Sequence, residues 1–181
     1  MSKENLNVED CIRTNSGIYM NVFNPTLDMI CIEDIAHALS NMPRFGGHLP
    51  EFYSVGRHSI FCSRYVIKGK ELEALLHDAS EAYLLDMPTP IKRKLTNYKE
   101  LENNLMSLIA EKFGFAWPMD SDIKDVDRYA LEFEWNHLML KKPFDSEYEH
   151  VSMTNAEVKQ AFLDRFEELM VERKLVLEDA R

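Results

Sequence analysis

The sequence has few of the residues that characterise disulfide scaffolds, flexible linkers and membrane spans. Its three cysteines, Cys11, Cys31 and Cys62, show no CxxC spacing, which argues against a disulfide framework or a zinc ribbon and favours a reducing cytoplasm. Six glycines and seven prolines are too few for a low-complexity chain. No apolar run approaches the ~18 residues that a membrane span needs, and the polar start MSKENLNVED predicts no signal peptide.

Positive charge is also scarce. Lysine and arginine number 21 against 31 aspartates and glutamates, so the formal net charge is −10. Because proteins that grip duplex phosphates display a basic face, we expect no binding to duplex nucleic acid and none to membranes. A few local cations or a metal ion can still hold a small phosphorylated ligand. The 181 residues are enough for one domain, residues 1–181, with a substantial core.

Most of the chain has the apolar spacing of helices. Residues 14–25 alternate apolar and polar side chains, which predicts a short strand or hairpin. Ser54 is the expected N-cap of one helix, and Thr154 with Glu157 makes a capping box for the last. Helices are predicted at about 32–42, 54–68, 71–85, 96–113, 120–140 and 154–174. The predicted fold class is therefore all-α: a helical bundle with a short N-terminal strand or hairpin.

Three ionisable side chains interrupt an apolar stretch of the third predicted helix. In ALLHDASEAYLL, His77, Asp78 and Glu81 stand among alanines and leucines. On a continuous helix His77 and Glu81 lie one turn apart on one side, and Asp78 flanks them. Buried acids and histidines usually pair with each other or bind a metal. The segment therefore predicts either a metal site or a network of satisfied polar side chains.

Two other elements supply side chains that can reach the same point. His58 lies in the preceding helix, which the short turn at Gly69 should pack antiparallel beside the third. Asp127 has apolar neighbours on a later helix, as expected for an inward-facing acid. The predicted metal ligands are His58, His77, Asp78 and Asp127. Two nitrogens and two carboxylate oxygens suit one divalent transition ion, such as Mn²⁺, Co²⁺, Fe²⁺, Ni²⁺ or Zn²⁺, better than Mg²⁺.

The order H…HD…D resembles the metal signature of the HD-domain phosphohydrolase superfamily. The segments RFGG, YSVGRHS, LLHDASEAY, MPTPIK and IKDVDRYALEFE extend the likeness over residues 34–135. Together they resemble the subfamily of bacterial 5′-deoxynucleotidases and small phage-type deoxynucleotide phosphohydrolases. The resemblance implies an HD core at about 32–140. It also implies metal-dependent hydrolysis of deoxynucleotides to deoxynucleoside and phosphate, and a homo-oligomer.

The resemblance also implies roles for residues outside the metal set. Glu81 would orient or deprotonate the attacking water, although it can equally be read as an orienter of His58 or His77. Asp86 would lie near the sugar 3′-hydroxyl, unless it only caps the turn that follows it. The expected substrate-binding residues are Arg44 and Lys92 as phosphate clamps, together with Phe45, His48 and Asp86.

Two departures from the superfamily pattern bear on the substrate. Ala82 stands where members that hydrolyse guanosine tetraphosphate carry an acid, which argues against that substrate. Phe45 replaces the tryptophan of better known deoxynucleotidases, so the contact with the sugar or base should differ. Two alternatives stay open: a deoxynucleoside triphosphate triphosphohydrolase, and a non-catalytic HD protein that binds a nucleotide.

Overall fold

A short hairpin precedes a bundle of helices in the computed structural model, which describes residues 8–144 and 152–179, with side chains to residue 176. Helices hold 60% of the described residues and strands 5%, so the all-α fold class is confirmed. Strand β1 (Cys11–Arg13) pairs antiparallel with β2 (Tyr19–Asn21), and Ile12 lies opposite Met20. Met20 is fully buried, so the hairpin packs onto the bundle through one face.

Eight α-helices form the described bundle. Short 3₁₀ turns at Leu27–Met29 and Arg44–Gly47 and a π-helical turn at Trp135–Met139 accompany them. The helices are α1 (Ile32–Asn41), α2 (Val55–Tyr65), α3 (Glu71–Leu75), α4 (Glu81–Leu84), α5 (Thr89–Lys92), α6 (Tyr98–Phe113), α7 (Ser121–Glu134) and α8 (Asn155–Asp179).

The capping signals read from the sequence are confirmed. The Ser54 side chain accepts a hydrogen bond from the backbone N–H of Arg57 at the start of α2. At the start of α8, the Glu157 N–H donates to Thr154 Oγ1, and the Thr154 N–H donates to Glu157 Oε2 at 2.7 Å. Each cap satisfies a backbone donor that the first helical turn leaves unpaired, which is why such ends can be read locally.

The prediction of one helix over residues 71–85 is wrong. Helix α3 ends at Leu75 and α4 begins at Glu81. Between them the Ala79 N–H donates to Leu76 O, and the Glu81 N–H donates to Asp78 O. These three-residue steps wind the chain with about three residues per turn, so side chains three apart are eclipsed. Asp78 and Glu81, rather than His77 and Glu81, therefore share a face.

Three other predicted helix ends differ from the structure. Helix α2 stops at Tyr65, because Val66 turns to an extended conformation before the Gly69 turn. Helix α7 was expected to run to residue 140, but its α-helical part ends at Glu134. A wider π-helical turn follows at Trp135–Met139. The last helix runs past residue 174, to 179.

Helix α2 lies at the centre of the bundle and contacts α1, α3, α7 and α8. Its approach to α1 depends on Gly56. A Cβ at this position would lie 3.1 Å from the Ser40 nitrogen and 3.2 Å from the Leu39 carbonyl carbon. Backbone therefore touches backbone at this crossing, which sets the depth at which the next turn of α2 carries His58.

The apolar core has two parts. The larger part joins the hairpin, α1, α2, α3, α6 and α8 around residues such as Leu39 and Phe162. A smaller cluster holds α7 against α2 and α3, and consists of Phe61, Cys62, Ala74, Ile123, Val126 and Ala130. This cluster brings Asp127 beside the helix that carries His58. None of the helices in the described ranges is long and apolar enough to span a bilayer.

Candidate metal centre and substrate cleft

Two histidines from neighbouring elements point their Nε2 atoms at each other. The Nε2 atoms of His58, on α2, and His77, just after α3, are 3.3 Å apart. His58 Nδ1 lies 2.7 Å from Glu134 Oε1, and His77 Nδ1 lies 2.8 Å from the carbonyl oxygen of Ala74. Since an ionised carboxylate and a carbonyl only accept hydrogen bonds, each Nδ1 carries a hydrogen. Both Nε2 atoms are thereby directed to serve as metal donors.

Two carboxylates approach the same pair of nitrogens. Asp78 Oδ2 lies 3.7 Å from His58 Nε2 and 3.2 Å from His77 Nε2. Asp127 Oδ1 lies 3.2 Å and 3.8 Å from the same two atoms. Donors bound to one ion at about 2.0–2.2 Å are separated by about 3 Å or slightly more. The structure therefore brings together the four ligands predicted from the sequence, in an arrangement that one ion fits.

The electrostatics of the four groups also suit a cation. Burial would lower the pKa of His58, but Glu134 and Asp127 raise it well above its ordinary value. Burial would also lower the pKa of His77, but Asp78 and Asp127 raise it well above its ordinary value. Despite burial, His77 and His58 lower the pKa of Asp78 to about 2, and both histidines also lower the pKa of Asp127. Without an ion, a proton held between the two Nε2 atoms offsets part of the charge of the carboxylates.

Glu134 belongs to the candidate site, and the sequence patterns did not predict it. It is 1% exposed, and its Oε2 accepts hydrogen bonds from Arg44 Nε at 3.2 Å and Nη2 at 3.0 Å. Burial would raise the pKa of Glu134, but His58 and Arg44 lower it, so it is ionised. The signal was present: Glu134 stands seven residues after Asp127, on the same buried face of α7 as Ala130.

A cavity of about 640 Å³ lies in front of the metal donors. Asp78, Asp127 and Glu81 line it, and all five predicted substrate-binding residues do as well: Arg44, Phe45, His48, Asp86 and Lys92. Glu81 is buried, and its Oε2 has no hydrogen-bond partner among the described residues. Burial, and then the charges of Asp78 and Asp86, raise the pKa of Glu81 well above its ordinary value.

Arg44 and Lys92, the predicted phosphate clamps, both have protein partners. Arg44 is 9% exposed and is held by Glu134. Lys92 pairs with Glu102, and its Nζ lies 5.1 Å from the ring centroid of Tyr98. Burial would lower the pKa of Lys92, but Glu102 raises it, so the charge persists at the cavity wall.

The other predicted substrate residues differ in exposure. Phe45 has a left-handed backbone (φ 53°), and its ring centroid is 6.3 Å from that of Trp135. His48 is exposed, whereas Asp86 is half-buried. Burial raises the pKa of Asp86, and Arg44 partly offsets this. The cavity therefore offers an aromatic wall and an acid near the metal donors.

Comparison with known proteins places the chain in a family. No protein-family model matches it. It is 36% identical over 173 residues to "Uncharacterized protein YfdR" of Escherichia coli (strain K12), which covers 90% of this chain and 97% of that protein. The chain belongs to the YfdR family. It is also 34% identical over 122 residues to "Uncharacterized protein RCAP_rcc00048" of Rhodobacter capsulatus, covering 62% of each.

The loop between α1 and α2 supplies one wall of the cavity in this YfdR family member. Its two ends meet, because Pro43 and Ser54 form an isolated β-bridge. The Arg44 N–H donates to Tyr53 O at 2.8 Å, and the Val55 N–H donates to Met42 O at 2.9 Å. The two ends of the loop are therefore paired where the loop leaves the bundle and where it returns.

Proposed function

We propose that the protein is a metal-dependent phosphohydrolase of the HD-domain superfamily that cleaves deoxynucleoside 5′-monophosphates to deoxynucleoside and phosphate. The proposal rests on one observation. The donor atoms of His58, His77, Asp78 and Asp127 converge beside a cavity, and the buried Glu81 lines that cavity. The cavity volume of about 640 Å³ lies within the ~300–1,000 Å³ of small-ligand sites.

The donor set fits one divalent transition ion. Both imidazoles are fixed in the orientation that presents Nε2, and both carboxylates are ionised. When bound, Mn²⁺, Co²⁺, Fe²⁺, Ni²⁺ or Zn²⁺ would neutralise charge on the phosphoryl group and acidify water. Glu134 and the Ala74 carbonyl oxygen hold the two rings from behind, so Glu81 is not needed for that task.

Glu81 is the group proposed to take the proton of the attacking water. Three-residue turns put it on the same face as Asp78, and its Oε2 has no partner in the described part of the chain. Its raised pKa makes the carboxylate a stronger base than an exposed glutamate. The water oxygen then bonds to phosphorus as the bond to the 5′-oxygen breaks. The 5′-oxygen takes up the proton held by Glu81, so the products are the deoxynucleoside and phosphate.

The cavity wall supplies the proposed nucleotide contacts. Phe45, whose ring packs near that of Trp135, offers aromatic surface for the base, and Asp86 offers a carboxylate for a sugar hydroxyl. Lys92 is the proposed phosphate contact. Arg44 is assigned a different role from the one expected from the sequence: it holds Glu134, which in turn holds His58.

One observation favours deoxynucleoside triphosphates as a second candidate substrate. A neighbouring cleft of about 540 Å³ shares Thr89 and Lys92 with the main cavity, and Arg93, Lys94 and Lys99 also line it. In a chain of net charge −10, this local positive surface is suited to further phosphate groups. The reaction would then release triphosphate.

A substrate panel separates these proposals. Metal-free protein is supplied with Mn²⁺ or Co²⁺ and incubated with dNMPs, NMPs and dNTPs, and orthophosphate and triphosphate are measured separately. We expect orthophosphate from dNMPs, slower reaction with NMPs, and no turnover without the metal. Triphosphate from dNTPs with inert dNMPs would establish the second candidate instead. Nucleotide binding with no turnover of any substrate would mark a non-catalytic binding protein.

A further inference from the structure

Cys62 lies beside the metal donors but was assigned no function by the sequence motifs. It is fully buried on α2, four residues after His58, so both side chains lie on one helix face. Its Sγ is 3.6 Å from His58 Nε2, and the sulfur and the donor atoms of both histidines all lie within 4.8 Å of one another. Cys11 and Cys31 are half-buried and lie outside this group.

Two of the three distances between these atoms match those of a four-coordinate site, and the third, from the sulfur to His77, is below 4.8 Å. A tetrahedral ion with bonds of about 2.3 Å to sulfur and about 2.0–2.1 Å to nitrogen separates sulfur from nitrogen by about 3.6 Å, and two nitrogens by about 3.4 Å. The measured distances are 3.6 Å between Cys62 Sγ and His58 Nε2, and 3.3 Å between the Nε2 atoms of His58 and His77.

The sulfur of Cys62 lies on the core side of the two imidazoles, whereas the carboxylates lie on the cavity side. Asp78 and Asp127 line the open cavity. Cys62 instead belongs to the small core cluster and packs with Ala74 and Val126. An ion between the two imidazoles therefore has hard oxygen donors toward the cavity and a soft sulfur donor toward the core.

We propose that Cys62 is a metal donor that makes the centre selective for thiophilic divalent ions. Ions such as Zn²⁺ and Cd²⁺ are held by Cys62 Sγ and the Nε2 atoms of His58 and His77, whereas harder ions such as Mn²⁺ use the imidazoles and the two carboxylates. The thiol proton passes to solvent as the sulfur–metal bond forms, and no atom changes oxidation state. This inference rests on the metal centre of the proposed function but not on its nucleotide substrate.

Cadmium tests the proposal, because a sulfur–cadmium bond has its own ultraviolet charge-transfer absorption. Titration of the metal-free full-length protein with Cd²⁺ should produce this absorption, and Cys62→Ser should abolish it. The same substitution should weaken Cd²⁺ binding by about tenfold or more, and Mn²⁺ binding by less than about threefold, in competition with a chromophoric chelator. Cys31→Ser is the matched control and should keep both the absorption and the affinity.

Three results would overturn the assignment: Cd²⁺ binding to the wild-type protein without the absorption, absorption that survives Cys62→Ser, or equal losses of Cd²⁺ and Mn²⁺ affinity. Equal losses of affinity for the two ions would mean that Cys62 contributes packing and not a bond to the metal. Cys62→Ala repeats the test without a hydroxyl, and thermal unfolding of both metal-free variants checks that they fold. A wild-type protein that shows the absorption but hydrolyses no nucleotide with Mn²⁺ would refute the proposed function and leave this inference standing.

Discussion

Glu134 holds His58 from behind, with 2.7 Å between Oε1 and Nδ1, and is itself held by Arg44. Glu134→Leu removes the acceptor that orients the imidazole, so we expect metal affinity to fall by about 10–100-fold. It also leaves Arg44 buried without its partner, which should destabilise the fold by about 3–5 kcal/mol. Chelator competition and denaturant unfolding measure the two effects.

Glu134→Gln separates these effects, because an amide oxygen can still accept the hydrogen of His58 Nδ1. It should recover part of the metal affinity. Glu132→Gln, at an exposed position on the same helix, is the control and should change neither quantity. Unchanged metal affinity in Glu134→Leu would show that Glu134 does not position the ligand.

Asp127→Asn tests the most distant ligand in the sequence. Removing a charged donor should reduce affinity for Mn²⁺ or Co²⁺ by more than about 100-fold, since even indirect partners of ligands account for about 10–100-fold. His77→Ala and Asp78→Ala should have the same effect. Asp125→Asn is the control on α7, because Asp125 is exposed and pairs with Arg128. Isothermal titration measures all four, and similar affinities for Asp125→Asn and Asp127→Asn would remove Asp127 from the centre.

The Glu81→Gln variant should bind the metal but hydrolyse dNMPs far more slowly than the wild-type protein. The amide cannot accept the proton of the attacking water, so kcat should fall by about 10²–10⁴-fold while metal content is unchanged. Single-turnover assays with dNMPs and metal analysis give the two numbers. Glu100→Gln, at an exposed site on α6, should keep full activity. If Glu81→Gln turns over at the wild-type rate, another group takes the proton.

Metal binding should release protons near neutral pH. Glu134 and Asp127 raise the pKa of His58, and Asp78 and Asp127 raise that of His77, each against the effect of burial. The two Nε2 atoms lie 3.3 Å apart, so the metal-free pair holds one proton between them. These ion pairs stabilise the metal-free fold below the raised pKa values, and the contribution is lost as pH rises through them. Metal affinity therefore increases with pH over the same interval.

Isothermal titration in buffers of different protonation enthalpy counts the protons released. We expect at least about one per ion bound near neutral pH. The His137→Asn variant, which changes a histidine outside the centre, should release as many protons as the wild-type protein. A measured heat that is independent of the buffer would contradict the electrostatics described for the site.

Gly56→Ala should destabilise the protein although alanine favours helices. Its Cβ would meet the backbone of Ser40 and Leu39 at 3.1–3.2 Å, where no side chain can move aside. We expect a loss of about 1–3 kcal/mol in the free energy of unfolding. Denaturant titration measures it, with Arg64→Ala on the exposed face of α2 as the control. An equal or higher stability for Gly56→Ala would mean that α1 and α2 can separate freely.

The features that could be read from the sequence are those with local causes. Ser54 and Thr154 cap helices because their partners lie three residues away. Strand β2 follows from the alternating side chains of residues 14–25, whereas β1 lies before that segment and was not predicted. The helical fold class follows from apolar spacing. The four predicted metal ligands were chosen because their order along the chain resembles a known pattern, and the structure brings their side chains together.

The remaining features depend on contacts that no short window contains. Apolar spacing over residues 71–85 fits one continuous helix, so nothing local indicates the three-residue turns that align Asp78 with Glu81. The pairing of Glu134 with His58 joins residues 76 apart in sequence. The pairing of Arg44 with Glu134 joins residues 90 apart and could not be predicted, so the use of Arg44 as a phosphate clamp stays a prediction.

The loop at residues 43–54 is closed at its base by the pairing of Pro43 with Ser54, so changes in the loop and changes in the helices are separable. Substitutions or insertions between Phe45 and Phe52 alter the wall that faces a ligand, while the paired backbone of Pro43 and Ser54 keeps the helix behind it in place. Arg44, at the root of the loop, is the point at which such changes can reach Glu134. The cavity wall between Phe45 and Phe52 can therefore be altered by substitution without separating the ends of α1 and α2.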